Sequence, residues 1–237
     1  MNLIVDIGNS SVKAALFKGS KMVARERLAE PFAESVARFT RGVSVSSCAY
    51  SAVGEVVSEL QAELLRLAPK VLQVKGTTPT PLTCDYLTPE TLGPDRLAAC
   101  VGAFHLAPGK DLLVVDAGTC ITYDYVSAEA HYLGGNISPG LGIRLRAMQS
   151  QTAALPLASA EGFLPEVGID TQTALRAGAI RGMDFEIAGY IHDFVRHHPR
   201  GEVFLTGGNA HRFAQGFKIT REPALVEIGL NRILLQL

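Results

Sequence analysis

The first apolar strand of the chain ends in Asp6-Ile7-Gly8-Asn9-Ser10, and 110 positions later another apolar strand ends in Asp116-Ala117-Gly118-Thr119. Both corners have the same order of aspartate, glycine and hydroxyl side chain. Glycine lacks a Cβ, so backbone N–H groups can approach a phosphate closely. The carboxylate can hold a cation, and the hydroxyl can donate a hydrogen bond. Two such corners predict a duplicated phosphate-binding fold and nucleotide chemistry.

The composition is that of a globular chain that binds a small molecule. Its 237 residues are 47% hydrophobic, enough to bury the core of one large domain or two smaller ones. With 22 basic and 23 acidic side chains the net charge is −1, and no Lys/Arg cluster is present. This argues against a nucleic-acid or membrane partner. The chain has no signal-peptide pattern and no apolar run of membrane-spanning length, so we expect a cytoplasmic protein.

The first half of the chain predicts the element order β-β-β-α-β-α-β. Gly19-Ser20 forms the turn inside a meander of three strands. The predicted strands are 2–6, 11–17, 21–28, 43–48 and 70–74, and the predicted helices are 31–40 and 54–68.

From Leu112 the order of elements begins again. Strands are predicted at 112–116, 119–126, 131–133 and 202–206, and helices near Pro139, within 170–197 and over 223–236. The repeat predicts an α/β fold of two duplicated lobes, 1–110 and 111–237, each a mixed sheet that starts with a three-strand meander and is flanked by helices. Further Gly-rich corners follow strands at 134–136 and 206–209, at the sheet edge that ligands favour in open α/β folds.

The motifs exclude the two commonest nucleotide fingerprints. No GxxxxGK[ST] loop occurs, and no GxGxxG follows a strand. The segment from Asp6 to Lys13 has a glycine turn, hydroxyl donors, a carboxylate and a lysine that a hairpin could aim at phosphate oxygens. An ordinary hairpin turn has the same composition, so both interpretations stay open on these residues alone.

A second motif, Leu92-Gly93-Pro94-Asp95-Arg96, precedes an Ala/Leu-rich helical stretch. Pro and Asp are favoured in the first turn of a helix, which is one interpretation. In the other, Asp95 accepts a hydroxyl proton while the adjacent guanidinium clamps an acidic substrate. Arg144 and Arg146 also follow a Gly-rich corner, but on a helix we expect them at the surface.

Together these motifs resemble the type III pantothenate kinases, members of the acetate kinase, sugar kinase, Hsp70 and actin superfamily. The resemblance runs nearly end to end and implies two ribonuclease H-like lobes of the actin-like ATPase fold. Ser10 stands where the family usually has Thr. The matching segments are Asp6 to Lys13, Tyr86 with Leu92 to Arg96, Asp116 to Asp124, Gly134 to Gly140, Gly168 to Thr171, and Thr206 to Gly208.

The resemblance implies transfer of the ATP γ-phosphoryl group to pantothenate, the first step of coenzyme A biosynthesis. Asp95 would be the general base and Arg96 would bind the pantothenate carboxylate. Other substrate-binding residues would be Tyr86, Gly93, Pro94 and Thr171. The family also implies a homodimer.

For the nucleotide, the resemblance implies that ATP binds with Mg²⁺ and that a monovalent cation, K⁺ or NH₄⁺, is required. Asp116 would coordinate that cation. The ATP-binding residues would be Asp6, Ile7, Gly8, Asn9, Ser10, Ser11, Val12, Lys13 and Thr119.

Three alternatives remain open on the sequence. One is a nucleotide-gated regulatory or binding protein of the same fold, which would have no need of a base beside Arg96. Another is a ribonuclease H-like nuclease with clustered carboxylates for two metals, although the chain lacks a basic surface. The third is a kinase for a different acceptor, which could be another small hydroxy acid, a sugar, or acetate.

Overall fold

The computed structural model describes residues 1–237, which form eleven strands and six α-helices. Two compact units divide the chain. The first comprises Met1–Lys110, Tyr125–Gly134 and Ala224–Leu237, and the second comprises Asp111–Asp124 and Gly135–Pro223. The lobe boundary between residues 110 and 111 stays a prediction.

The first sheet contains the predicted meander. Its strands are β1 (Asn2–Ile7), β2 (Val12–Lys18), β3 (Lys21–Leu28), β4 (Ser47–Ala52) and β5 (Val71–Gln73), in the order β3-β2-β1-β4-β5. Strands β1 to β3 pair antiparallel, whereas β4 is parallel to both β1 and β5. The strand predicted at 43–48 lies four residues later. Its centre, Cys48-Ala49-Tyr50, is continuously buried and does not alternate, as is usual for a parallel strand covered on both faces.

Helices cover both faces of the first sheet. On one face, α1 (Phe32–Phe39) and α2 (Ser58–Leu67) pack on a cluster that includes Leu3 and Val5. Ile4 lies between these two in β1, so its side chain points to the opposite face, where it is also fully buried. That face is covered by α6 (Leu225–Leu234), which packs on β1, β4 and α3 (Pro94–Leu106).

The crossing of α3 and α6 is a contact between backbones. A Cβ on Gly102 would overlap the carbonyl oxygen of Leu225, and one on Gly229 would overlap that of Ala98. Only glycine fits at either position, because each opposing group is main chain and cannot move aside. This crossing anchors the helix that begins with Pro94 and Asp95.

The second sheet repeats the strand order of the first. It runs β11-β10-β7-β8-β9-β6, so β9-β8-β7-β10-β11 corresponds to β3-β2-β1-β4-β5. Strand β10 is parallel to β7 and to β11, as β4 is to β1 and β5. The predicted duplication is therefore confirmed. The strands are β6 (Thr83–Cys84), β7 (Leu112–Ala117), β8 (Cys120–Val126), β9 (His131–Pro139), β10 (Glu202–Thr206) and β11 (Thr220–Arg221).

Two further helices belong to the second unit, α4 (Leu141–Ser150) and the 27-residue α5 (Thr171–His197). Helix α5 begins in a capping box: the Thr173 N–H donates to Asp170 Oδ1 at 2.8 Å, and the Asp170 N–H donates to Thr173 Oγ1 at 3.1 Å. The Thr173 N–H and the Thr173 hydroxyl both donate to Asp170 Oδ1, and these two bonds hold the pKa of Asp170 below its usual value. None of the helices combines the length and apolar character needed to cross a membrane.

Candidate active site

The first corner holds the Asp6 carboxylate from two sides. Asp6 lies opposite Lys13 in the β1–β2 hairpin and beside Ser51 in the parallel strand β4. Lys13 Nζ lies 3.2 Å from Asp6 Oδ2, and Ser51 Oγ donates to Asp6 Oδ1 at 3.0 Å. The Asp6 side chain is buried, whereas that of Lys13 is 28% exposed. The structure thus brings Asp6 and Lys13 together at one corner, and adds Ser51, which the motif did not include.

The remaining residues of this corner divide into exposed polar groups and core groups. Asn9 and Ser10 are exposed, and the Gly8 N–H donates to the Ser11 carbonyl at 3.0 Å to close the turn. Val12 belongs to the apolar core and Ile7 packs against it. At those two positions only the backbone is therefore free to face a ligand.

The second corner packs its carboxylate against glycine backbone. Asp116 lies next to last in β7, opposite Thr206 of the parallel strand β10. Gly207 follows with φ +94°, and a Cβ there would overlap Asp116 Oδ1. A Cβ on Gly118 would lie 3.2 Å from the same oxygen. Two positions without side chains thus leave the carboxylate oxygen room, and an oxygen donor is what hard cations such as K⁺ or Mg²⁺ prefer.

Thr119 rests on the segment that leads into α4. The Gly140 N–H donates to the Thr119 carbonyl at 3.2 Å. A Cβ on Gly140 would overlap that carbonyl oxygen and lie 2.6 Å from the carbonyl oxygen of Gly118. The conformation of the second corner therefore depends on where residues 138–140 are held.

The expectation that Arg144 is a surface residue was wrong. Its side chain is only 20% exposed, and it pairs with Glu186 of α5 and donates to the Pro139 carbonyl. Arg146 is exposed, as expected. The sequence gives no signal for this difference, because the partner of Arg144 lies 42 residues further along the chain.

The substrate motif forms the first turn of α3. Pro94 is its first residue, and Asp95 Oδ1 accepts a hydrogen bond of 2.9 Å from the Arg96 N–H. A Cβ on Gly93 would lie 2.6 Å from Asp95 Oδ1, so the glycine leaves space for the carboxylate. The negative charge suits the helix N-terminus. A helix-start role and a chemical role are both compatible with this arrangement.

Arg96 and Tyr86 come together in the first unit. The Arg96 guanidinium carbon lies 5.8 Å from the centre of the Tyr86 ring, and Arg96 is only 7% exposed. Tyr132 tilts against Tyr86 at a ring distance of 6.1 Å, and Gly134, with φ +119°, lies next to the Tyr86 ring. A guanidinium fixed against an aromatic face suits recognition of a carboxylate. Tyr132 was missed, because its pattern is that of any strand residue.

Thr171 begins α5 and lines an apolar cavity of about 510 Å³ in the second unit. Neither Asp116 nor Thr119 lines that cavity. Its other lining residues are Met148, Leu155, Gly168, Ile169, Asp170, Ala174, Leu175 and Gly178. Nowhere do three or more His, Cys, Asp or Glu side chains form a group that could hold a metal ion.

Solved structures that are similar to this chain have the same fold. A Campylobacter jejuni protein, provisionally named a Baf family transcriptional activator, has a TM-score of 0.63 at 23% identity and covers 99% of this chain and 98% of its own. A Listeria monocytogenes protein, provisionally named an N-acetylmannosamine kinase, has a TM-score of 0.52 at 12% identity and covers 99% and 98%. At these identities the likeness concerns the fold alone, an α/β fold of the actin-like and sugar kinase type.

The sequence comparisons are more specific. The family model for type III pantothenate kinase matches residues 2–193. The type III pantothenate kinase of Phocaeicola vulgatus is 43% identical over 236 residues, which cover 99% of this chain and 98% of that one. That of Bacteroides fragilis is 44% identical over 236 residues, covering 99% and 97%. Because these matches extend over nearly the whole of both chains, this chain belongs to the type III pantothenate kinase family.

Proposed function

We propose that the protein transfers the γ-phosphoryl group of ATP to the primary hydroxyl of pantothenate, the first step of coenzyme A biosynthesis. The hydroxyl oxygen forms a bond to the γ-phosphorus, the bond from that phosphorus to the bridging oxygen breaks, and ADP leaves. Given the family, the observation that carries the proposal is the Asp95 and Arg96 pair in the first turn of α3 beside Tyr86.

Asp95 is the group proposed to take the hydroxyl proton. It is partly exposed, so a substrate can reach it, and its carboxylate is oriented by the Arg96 N–H. Phosphoryl transfer passes through a loose transition state in which the hydroxyl loses its proton late, so the base mainly orients the nucleophile.

Arg96 would pair with the carboxylate of pantothenate through two parallel hydrogen bonds. Gly93, Pro94 and Tyr86 would shape the pocket around that carboxylate. Thr171 is proposed to contribute a hydroxyl from the apolar cavity at the start of α5, whose lining suits the aliphatic part of the substrate.

Residues 6–13 of the lobe 1–110 and Thr119 of the lobe 111–237 are proposed to hold ATP. In the first corner the Gly8 turn and the partly exposed Lys13 ammonium suit phosphate oxygens. Mg²⁺ would enter with ATP, bound largely by phosphate oxygens, and would offset their charge. Asp116, with glycine on two sides, is the proposed ligand of K⁺ or NH₄⁺.

The test is ADP formation by the purified protein with ATP, Mg²⁺ and pantothenate. Asp95→Asn is expected to lower kcat by about 10²- to 10⁴-fold, the usual share of a general base, while the melting temperature stays near that of the wild type. Glu90→Gln changes an exposed carboxylate in the segment just before α3; it is the matched control and should keep full activity.

Two outcomes would overturn parts of this proposal. Wild-type turnover by Asp95→Asn would remove Asp95 as the base. ATP binding without pantothenate-dependent ADP formation by the wild type would favour another acceptor or the regulatory alternative.

A homodimer is also proposed, because the second unit exposes large apolar side chains at Phe163, Val167, Ile169 and Phe185. Light scattering should give twice the chain mass of 25.3 kDa. Phe185→Ser should shift the mass towards that of the monomer, whereas Leu87→Ser, in the first unit, should not. A monomeric wild type would contradict the proposal.

A further inference from the structure

Arg144 joins three segments next to the second corner. Its Nε donates to the Pro139 carbonyl at 2.8 Å, and its Nη2 donates to Ser138 Oγ at 3.2 Å and pairs with Glu186 Oε2. A guanidinium carries five donors in a rigid fork and can hold these acceptors together, whereas the single ammonium of lysine cannot match that geometry. Arg144 thus ties the end of β9 to α4 and to the middle of α5.

Glu186 is fixed from its other side by an aromatic pair. The Tyr123 hydroxyl donates to Glu186 Oε1 at 2.8 Å. The Tyr123 ring is fully buried in β8 and stacks on Tyr190 of α5 at 3.7 Å. Asn136 Nδ2 donates to the Tyr190 hydroxyl at 3.2 Å. Both oxygens of the carboxylate are therefore engaged, and the position of Arg144 is well defined.

The protonation states agree with this arrangement. Burial disfavours the charge on Glu186, but hydrogen bonds from Arg144, Ser138 and Tyr123 outweigh it and keep the Glu186 pKa below its usual value. Burial, together with the neighbouring Glu186, raises the pKa of Tyr123. At neutral pH the carboxylate is therefore ionised and accepts from a neutral phenol.

The segment that Arg144 holds is the one on which the second corner rests. Ser138 and Pro139 immediately precede Gly140. The Gly140 N–H donates to the Thr119 carbonyl, and a Cβ on Gly140 would overlap the carbonyl oxygens of Gly118 and Thr119. A shift of residues 138–140 would displace the backbone of Thr119, because no space separates the two segments.

We infer that Arg144, held by Glu186, is a positioning residue for the nucleotide: it fixes residues 138–140 and, through them, the orientation of Thr119 towards ATP. This inference rests on the proposed kinase function, in which Thr119 helps to hold ATP. Arg144 itself does not touch the substrate. Its effect should appear in the use of ATP and not in the recognition of pantothenate.

The first experiment measures steady-state kinetics of Arg144→Met. We expect kcat/KM for ATP to fall about 10- to 100-fold, as is typical when a group that orients an active-site residue is lost. The KM for pantothenate should stay within about twofold of the wild type. Arg144→Lys should fall in between. Arg146→Met, two positions along the same helix and exposed, is the control and should change neither constant.

A second variant separates positioning from loss of stability. Arg144→Met alone leaves Glu186 without its cationic partner, so the melting temperature should drop. In Arg144→Met/Glu186→Gln the unpaired charge is removed, while the Gln carbonyl can still accept from Tyr123. The melting temperature should then recover towards that of the wild type, with kcat/KM for ATP still reduced. Recovery of both would show a structural role only and overturn the inference.

Direct calorimetric titration with ATP and Mg²⁺ keeps the inference testable if the wild type shows no turnover. In that case the kinase proposal fails, but weaker ATP binding by Arg144→Met than by Arg146→Met would still support the positioning role. Equal ATP affinity in the two variants, with equal kcat/KM for ATP where turnover exists, would overturn it.

Discussion

The two Asp-Gly corners end equivalent strands of sheets with the same strand order, yet they are built differently. In the first, Asp6 is held by side chains, an ion pair with Lys13 and a hydrogen bond from Ser51. In the second, Asp116 packs against the backbone of glycines at positions 118 and 207. Side chains can adjust to a small change in shape, whereas packed main chain cannot. The duplication has therefore preserved topology, with the Asp6 carboxylate set against side chains and the Asp116 carboxylate set against glycine backbone.

The largest difference should appear when a methyl group is added to each corner. The Cβ that Gly207→Ala adds would overlap Asp116 Oδ1 and the Ala117 backbone, at a left-handed φ of +94°. A Cβ on Gly8 would meet only the Ser11 carbonyl oxygen, at 3.3 Å. We expect Gly207→Ala to lower the free energy of unfolding by about 2–4 kcal/mol and to abolish ADP formation. Gly8→Ala should lower it by about 1 kcal/mol or less.

Urea denaturation and the ADP assay measure both effects. Gly208→Ala is the matched control for the second corner, because a Cβ there has nothing within 4 Å and φ is not left-handed. Equal losses for Gly207→Ala and Gly8→Ala would show that the two corners do not differ in the way their packing indicates.

A smaller effect concerns the role of each carboxylate. If Asp116 holds the monovalent cation, Asp116→Asn should raise the K⁺ concentration for half-maximal activity about tenfold or more, since a charged ligand becomes neutral. Asp6→Asn instead releases Lys13 from its ion pair and should alter the KM for ATP, with the K⁺ requirement unchanged.

The measurement is ADP formation over a series of K⁺ concentrations at constant ionic strength, with Na⁺ as the balancing ion. An equal shift in the K⁺ requirement in both variants would remove the distinction between the corners, and no shift in Asp116→Asn would remove Asp116 as the cation ligand.

Much of the fold was predictable because its signals are local. The meander, the turn at Gly19 and the restart at Leu112 follow from alternation and glycine placement in short windows. The predicted position of β4 was wrong by four residues, because a parallel strand buried on both faces has no alternation to mark its bounds. The two-residue strand β6 lies in a Pro-rich segment and pairs only with the start of β9, so nothing local indicates it.

The candidate site was predictable to a similar extent. Asp6 with Lys13, and Asp95 with Arg96, are close in sequence and appeared as pairs. Ser51 and Tyr132 were missed, and Arg144 was wrongly expected at the surface, because each acquires its role from strand register or from a partner on another element. A single sequence does not specify those neighbours, even where it specifies the elements that carry them.

The smallest expected effect is a pH dependence confined to the first unit. Glu227 of α6 is fully buried, pairs with Arg25 Nε at 2.7 Å, and has no hydrogen-bond partner for Oε2. Burial raises the pKa of Glu227 above 4.5; Asp6 adds to this, while Arg25 and Lys13 oppose it. Because the folded state then favours the protonated acid, its contribution to stability is complete below the unfolded pKa and is lost as pH rises through the folded value.

Glu227→Gln should abolish that loss, since an amide does not ionise. The variant should gain stability relative to the wild type between acid and neutral pH, by roughly 1 kcal/mol, the scale of one ordinary hydrogen bond. Urea midpoints from pH 4 to pH 8 test this, with the exposed Glu34→Gln as control. Parallel curves for the wild type and Glu227→Gln would mean that Arg25 fully compensates the buried charge. A gain in stability would show that Arg25 and Lys13 only partly offset the cost of ionising Glu227. The first corner would then lie beside a buried carboxylate that favours its protonated form.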